Sequence, residues 1–516
     1  WWDGYIRNVL LLNNEAGISK VKKYVYDVLK SQDKDGYIGI YSKELRYNFQ
    51  SENGELWAKT TMYRGLLAYY EYTKDKRVFE AIVKAIDNVM LNYPIGKSSP
   101  FYSGKNFNAG VSHGLTFTDV LDKMYQITHD TKYLDYAKFL YLDFCQTYQS
   151  EEDAKLENIL NPNYKLKSHG VHTYEHLRPL IVANYAAQNM ELQKALAIYC
   201  NRIENTTTLT GGAIGDEWIG ERSADATNTG YEYCSLQELL NSYSLLFQKQ
   251  GNYKTAETIE NIFYNAAQGS RNPDHSCIAY LKTDNSYEMT GTKNGEEEAN
   301  RKQIRYKYSP AHQDVAVCCN PNAGRITPYF LEYSWLKENE ITLVSALLCP
   351  NILTTNIHKK PITIALLTAY PSEHKLVYAI KNTNKANFVI KIRKPSWATA
   401  IVTKEKYTIE DEFIKIDRNF SVADTIQIEF KTQIRIKEDA KHEKYFSYGA
   451  LIYAKPIAAE EQKGKTYLIG FDDLVYKAKS KEHYEFIENN NAAFENNRIK
   501  LNLKNTISNE IEEISL

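Results

Sequence analysis

The chain has 516 residues with 63 Lys and Arg against 64 Asp and Glu, a formal net charge of −1, so no global field draws its surface toward nucleic acid or an anionic membrane. Gly and Pro number only 24 and 13, and 43% of residues are hydrophobic, which excludes low complexity and disorder as the main state. No stretch approaches the ~20 uninterrupted apolar residues of a membrane span; the best run, Ile341 to Leu348, ends at Cys349-Pro350.

Position 1 is Trp rather than Met, which leaves open a preceding signal segment. A secreted or periplasmic protein is the expectation, with a cytoplasmic location kept open. The 41 Tyr, with 18 Phe and 6 Trp, supply flat faces with polar tips that suit either a Tyr-rich core or a concave sugar-binding surface. Seven cysteines are too few and too odd in number for a disulfide scaffold, and two of them are adjacent.

From about residue 15 to residue 337 the apolar spacing is helical and a hairpin pattern recurs. It is read in Leu66–Phe79, Leu121–Leu134, around Ala187-Gln188-Asn189 and at Leu246–Tyr253. Such hairpins cannot hide their apolar faces singly, so residues 1–337 are expected to close into an α/α toroid. Residues 338–516 change to short β-branched runs with turn signals, at Ile341–Leu348, Ile362–Tyr370, Lys375–Ile380, Phe388–Ile392, Thr425–Phe430 and Phe446–Ala454. They predict an antiparallel β-sandwich, with a second small β unit from about residue 435 as one reading. The polar segment after about Tyr476 has only weak alternation.

The chemistry-bearing residues follow in chain order. His113 opens one helix, and Ser168-His169-Gly170-Val171-His172-Thr173-Tyr174-Glu175-His176 opens another. There His169 is expected to line a pocket while His172 and His176 pack. The loop Thr210–Arg222 carries four glycines, three carboxylates and Trp218. It lacks the Lys-Ser/Thr of a phosphate loop, and Glu217 beside Trp218 suits a general acid next to a sugar-stacking face. A plain polar surface loop is the alternative. Glu232-Tyr233-Cys234 and Cys318-Cys319 offer a carboxylate and three thiols, a set suited to tetrahedral zinc, provided both pairs sit at helix starts. Gly230 would permit the irregular backbone this needs. The alternative is four unrelated residues with inert thiols.

Taken together these residues resemble the β-L-arabinofuranosidases of glycoside hydrolase family 127. The likeness runs from Asp35-Gly36-Tyr37-Ile38-Gly39 and Glu55-Leu56-Trp57 through Gly215-Asp216-Glu217, Glu232-Tyr233-Cys234 and Cys318-Cys319-Asn320 to Phe388–Trp397. The resemblance implies an (α/α)6 barrel followed by a β-sandwich, a Zn2+ held by Glu232, Cys234, Cys318 and Cys319, Cys318 as nucleophile and Glu217 as acid/base, with Asp216 and Glu221 as close alternatives. Around the sugar it places His169, Trp218, His113, Trp57 and Tyr280. The implied substrate is an oligosaccharide or polysaccharide with a small terminal sugar, and homodimerisation is left open. Tyr233 stands where many members have Thr, while Thr61 and Ala316 replace expected histidines. The sugar is therefore β-L-arabinofuranose or a related unit such as 3,6-anhydro-D-galactose. A silent carbohydrate-binding protein with a structural zinc is the competing reading.

Overall fold

The computed structural model describes residues 1–48, 53–103, 109–147, 151–296, 304–382 and 385–516. Five helix hairpins share one two-residue motif in their two- or three-residue connections: a residue in the left-handed region, then an Asp or Asn whose side chain caps the next helix. The left-handed residues are Asn13, Lys74, His129, Gln188 and Gly251. After them, Asn14 accepts from Gly17 N, Asp75 from Arg77 N, Asp130 from Lys132 N, Asn189 from Leu192 N and Asn252 from Lys254 N. The four predicted hairpins are thus present, and a fifth precedes them.

That first hairpin brings a helix, Trp2–Leu11, that lies before the expected helical start. It buries Asp3 and Gly4 together with Ile6, Val9 and Leu10, so its inward stripe is not purely apolar and the periodicity is masked. The helix closes the ring. Going round, Trp2–Leu11 packs on Glu55–Thr73, then come Phe117–Thr128, Leu177–Ala187, Tyr233–Gln250 and Cys319–Glu332, which returns to Trp2–Leu11. Outer partners such as Lys76–Asn92 and Lys132–Gln146 back five of these six inner helices. Helix does not continue unbroken to 337: the described residues of 270–296 and 304–318 form loops with two short strands, Ile278–Ala279 and Tyr308–Ser309.

Each inner helix contributes one buried or largely buried charge to a circuit of ion pairs, and the signs alternate. In ring order they are Asp3, Arg64, Asp119, Arg178, Glu238 and Arg325. Arg64 pairs with Asp119. Arg178 reaches Asp119 at 2.9 Å and Glu238 at 2.5 Å, and Arg325 reaches Glu238 at 3.3 Å and Asp3 at 3.2 Å. Asp3 feels the charge of Arg64, which closes the circuit. Next to it, Glu332 binds Arg7 at 2.5 Å and Lys123 at 2.9 Å.

The β part holds two five-stranded sheets packed face to face. One runs Thr408–Glu410, Phe413–Phe420, Ala386–Arg393, Thr342–Ser345, Trp335–Asn339. The other runs Asn351–Ile357, Lys360–Leu367, Lys375–Asn382, Ala423–Lys431, Ala400–Thr403. All pairs are antiparallel except Thr342–Ser345 with Ala386–Arg393. Ile390, Ile392 and Ile416 from the first sheet meet Ile364, Tyr378 and Ile428 from the second in one core. The run read as a single strand over Phe446–Ala454 is a hairpin, Lys444–Tyr448 and Leu451–Tyr453, turned at Gly449 with φ +62°. The segment after Tyr476 supplies a small sheet whose Ile499, Leu501 and Leu503 pack on Phe446.

Two buried ion pairs tie the β part to the ring. Arg393, fully buried, pairs with Glu260, which also accepts from Leu348 N at 2.6 Å and Tyr370 Oη at 2.7 Å. The long hairpin Ala459–Leu468 and Phe471–Ala478 pairs with Tyr308, and its Asp473 binds Lys307 at 2.7 Å. No helix among the described residues is long and apolar enough to cross a membrane.

Burial opposes ionisation of Asp3, Glu238 and Glu332, but Arg7, Arg178, Arg325 and Lys123 outweigh it and hold these carboxyls well below the usual range. Depressed folded values mean that this stabilisation is complete above the unfolded carboxylate pKa and disappears as pH falls through the folded one. Stability should therefore hold above about pH 5 and collapse between roughly pH 4 and 2. Arg178→Met, which removes the cation shared by Asp119 and Glu238 and leaves them only Arg64 and Arg325, should cost about 3–5 kcal/mol in denaturant unfolding at neutral pH.

Candidate active site and metal centre

Glu232 stands in extended backbone just before the Tyr233–Gln250 helix, and Cys234 lies in its first turn. Cys318 occupies the corresponding place before Cys319–Glu332. The ligand atoms of Glu232, Cys234, Cys318 and Cys319 all lie within 4.8 Å of one another. Cys234 Sγ is 3.7 Å from Cys319 Sγ, close to the ~3.8 Å that two thiolates on a tetrahedral zinc would keep at Zn–S bonds near 2.3 Å. Cys319 Sγ donates to Glu232 Oε2 at 3.3 Å, and Asn322 Nδ2 donates to Cys234 Sγ at 3.1 Å. Gly230 serves this corner by close approach: a Cβ there would meet Tyr306 Oη at 2.6 Å.

The electrostatics of the protein alone allow this cluster little negative charge. Hydrogen bonds from Cys234 and then Cys319 pull the Cys318 thiol far down. Burial and the Cys318 charge push Glu232 up, the contact with Cys318 raises Cys234, and burial raises Cys319. Three soft donors and a carboxylate that repel each other's charges are a set a divalent cation would complete, so the residues fit zinc. Glu232, Cys234 and Cys319 are buried, whereas Cys318 is exposed.

Beside the Glu232 corner, where Gly215 N donates to Gly230 O at 2.8 Å, the glycine-rich loop is laid against residues 166–170. Gly170 N donates to Glu217 O at 2.8 Å, Ile219 N to Ser168 O, and Glu221 N to Leu166 O, so His169 and Trp218 face one another as a bridge. A Cβ on Gly170 would sit 2.2 Å from Ile214 O, which makes glycine obligatory there. Glu217 itself has φ +82°, an unfavourable backbone for a residue with a Cβ and a mark of a functional constraint. Its Oε2 is 3.2 Å from His169 Nε2 and its Oε1 is 2.6 Å from Arg305 Nη1. The His169 hydrogen bond, aided by Arg305, pulls the carboxyl down to about 2 against the effect of burial. Asp216 is engaged by Arg222 at 2.5 Å, and Glu221 is exposed.

Arg305 links the two walls. Its guanidinium lies 5.8 Å from the Tyr280 ring centroid, and Tyr280 Oη is 3.9 Å from Cys318 Sγ. The order Glu217, Arg305, Tyr280, Cys318 crosses the site without a break. Tyr280 is buried, which makes it a brace beneath the surface of the cleft.

On the far side of His169 a row of rings extends: Trp218, His169, His172, His113, Trp57, with successive centroids 5.8, 5.0, 4.1 and 4.4 Å apart. Both tryptophans are exposed, at 45% and 40%. His113 Nδ1 is 2.7 Å from Glu175 and its Nε2 is 2.9 Å from His172 Nε2, while His172 Nδ1 faces Glu151 at 3.1 Å. Burial works against a charge on His113, but Glu175 outweighs it and raises its pKa; burial and the neighbouring imidazoles push His172 down. His172 and His176 are buried, as their packing role requires.

The structure thus brings Glu232, Cys234, Cys318 and Cys319 into one cluster and sets Glu217, His169 and Trp218 on one wall, with His113 and Trp57 further along. Arg305, Glu175 and Glu151 were not singled out in the sequence. Glu175 lay within the quoted histidine segment, whereas nothing local marks Arg305. Thr61 and Ala316 are both exposed.

Residues 5–332 match the family model described as β-L-arabinofuranosidase, GH127 catalytic domain, and residues 342–432 match the GH127 middle domain. Among solved structures, a GH127 β-L-arabinofuranosidase from Geobacillus stearothermophilus T6 is similar over 100% of this chain and 86% of that one, with a TM-score of 0.72 at 15% identity. A GH127 β-arabinofuranosidase gives 0.67 at 16% identity over 100% and 83%, and a glycoside hydrolase gives 0.74 at 14% over 100% and 87%. No curated protein sequence matches. At these identities the structural likeness speaks for the fold.

The exposure pattern predicts the order of thiol reaction. Brief iodoacetamide treatment of the native protein should alkylate Cys318 well before Cys234 and Cys319, which should react only on unfolding; peptide mapping by mass spectrometry reads the order.

Proposed function

As a member of glycoside hydrolase family 127, to which its catalytic-domain match assigns it, the chain is a glycoside hydrolase, and we propose that it is a retaining exo-glycosidase that uses Cys318 as nucleophile and Glu217 as acid/base. The observation that carries this reading is the asymmetry of the thiol cluster. Three ligands are buried and Cys318 alone is exposed, and contacts run from it through Tyr280 and Arg305 to Glu217. A purely structural zinc site would bury all four.

Glu232, Cys234, Cys318 and Cys319 would hold the zinc, which when bound supplies positive charge that keeps thiols ionised near neutral pH. Cys318 Sγ forms a bond to the anomeric carbon as the glycosidic C–O bond breaks, and Glu217 gives its proton to the departing oxygen. Glu217, now a carboxylate, takes a proton from water, whose oxygen displaces the sulfur and restores the Cys318 thiolate. Two displacements at one carbon give net retention. His169 holds Glu217 and His113 backs the ring of Trp57, while Trp218 and Trp57 offer exposed faces for stacking on the sugar. The sugar released is β-L-arabinofuranose or a related small unit such as 3,6-anhydro-D-galactose, taken from the end of a plant or algal glycan.

Elemental analysis should find one zinc per chain, lost in Cys234→Ser and Cys319→Ser. With aryl β-L-arabinofuranosides and anhydro-galactose oligosaccharides as probes, Cys318→Ser should abolish turnover. Glu217→Gln should slow it roughly 100- to 10,000-fold with KM little changed. Intact mass after quenching should reveal a glycosyl adduct in the wild type that is absent from Cys318→Ser. Full activity in either variant removes that residue from the mechanism.

A further inference from the structure

Glu217 presents a difficulty for the first displacement. An acid must carry a proton, yet both its oxygens are occupied by cationic or donor groups: Arg305 on Oε1 and His169 on Oε2. The charged and titratable groups around it come from three directions. His169 comes from the 166–170 segment, Arg305 from the arm that pairs with Gly291 and Leu281, and Glu232 from the start of the Tyr233–Gln250 helix. On its own loop Asp216 is neutralised by Arg222.

Arg305 is well placed to decide the outcome. Its backbone is fixed on both sides, since Arg305 N donates to Gly291 O at 3.1 Å and Leu281 N donates to Arg305 O at 3.1 Å. Its side chain is 12% exposed, so it lies at the cleft boundary, neither free in solvent nor sealed in the core. It touches Glu217 at one end and lies against Tyr280, the brace of Cys318, at the other.

We propose that Arg305 is the positioning residue of this site: it clamps Glu217 as a carboxylate while the cleft is free of sugar, and releases it to take up a proton from solvent only when a bound sugar hydroxyl takes over the guanidinium. The inference rests on the acid/base assignment of Glu217. It couples acid catalysis to occupancy of the cleft, and it fixes the separation of Glu217 from Cys318 through Tyr280. In the second displacement Glu217 acts in its carboxylate form, the one that activates water.

The test is an acid titration of tryptophan fluorescence in the zinc-loaded protein, read as the difference from Trp218→Phe and with far-UV circular dichroism recorded in parallel to set acid unfolding apart, because Trp218 adjoins Glu217 in sequence and packs on His169. Removing one adjacent positive charge should move the Glu217-dependent transition of Arg305→Gln up by about one to three pH units relative to wild type. The transition should vanish in Arg305→Gln/Glu217→Gln and stay near the wild-type position in Arg305→Lys. A transition in Arg305→Gln that coincides with wild type, or one that survives Glu217→Gln, overturns the proposal. A residue with only a structural role would lower the melting temperature without moving this transition. Turnover separates the two readings: a fully active Glu217→Gln defeats the acid/base assignment, whereas an unshifted titration beside an inactive Glu217→Gln defeats the clamp alone.

Discussion

The alternating circuit of Asp3, Arg64, Asp119, Arg178, Glu238 and Arg325 is the constraint from which the rest of the molecule follows. Each of these groups loses its water on folding, a cost that its neighbours on the two flanking helices offset only when both are in place. No helix can be displaced without stranding a buried charge. Alternation also imposes parity, since a ring of five or seven inner helices would set two like charges side by side. The circuit sums to zero and so adds no net field of its own to the chemistry beside it.

The circuit and the candidate site share helices. Glu238 lies four residues beyond Cys234, Arg325 seven beyond Cys318, and Arg64 seven beyond Trp57. At these spacings each pair shares a helix face, so the helix stripe that points a charge inward also points a site residue into the cleft above it. Two of the inner helices begin at the thiol cluster, and the positive ends of their dipoles favour thiolate there. The opposite wall is built differently, from a loop pinned to residues 166–170. There Glu217 accepts an unfavourable φ, and its carboxylate is held by side chains from two separate segments.

Much of this could be read in the chain. The hairpins announce themselves through apolar spacing and through Asp or Asn after a turn residue, and the Glu-x-Cys and Cys-Cys pairs carry their chemistry in their residue types. The first inner helix was not legible, because its buried face includes Asp3 and Gly4. Nor was Arg305, an isolated cation brought to Glu217 by backbone pairing with Gly291 and Leu281. The short edge strands, such as Thr408–Glu410 and Ala400–Thr403, are too brief and too exposed to show alternation. What stays hidden is what long-range pairing decides.

The hairpin of residues 459–478 gives the molecule an order in time. Lys307, on the segment that leads to Cys318, finds its buried partner in Asp473, far later in the chain. During synthesis the three thiols and Glu232 emerge well before the strand that anchors their surroundings. The buried cation on the segment that leads to Cys318 therefore stays without this counter-charge until residue 473 has been made.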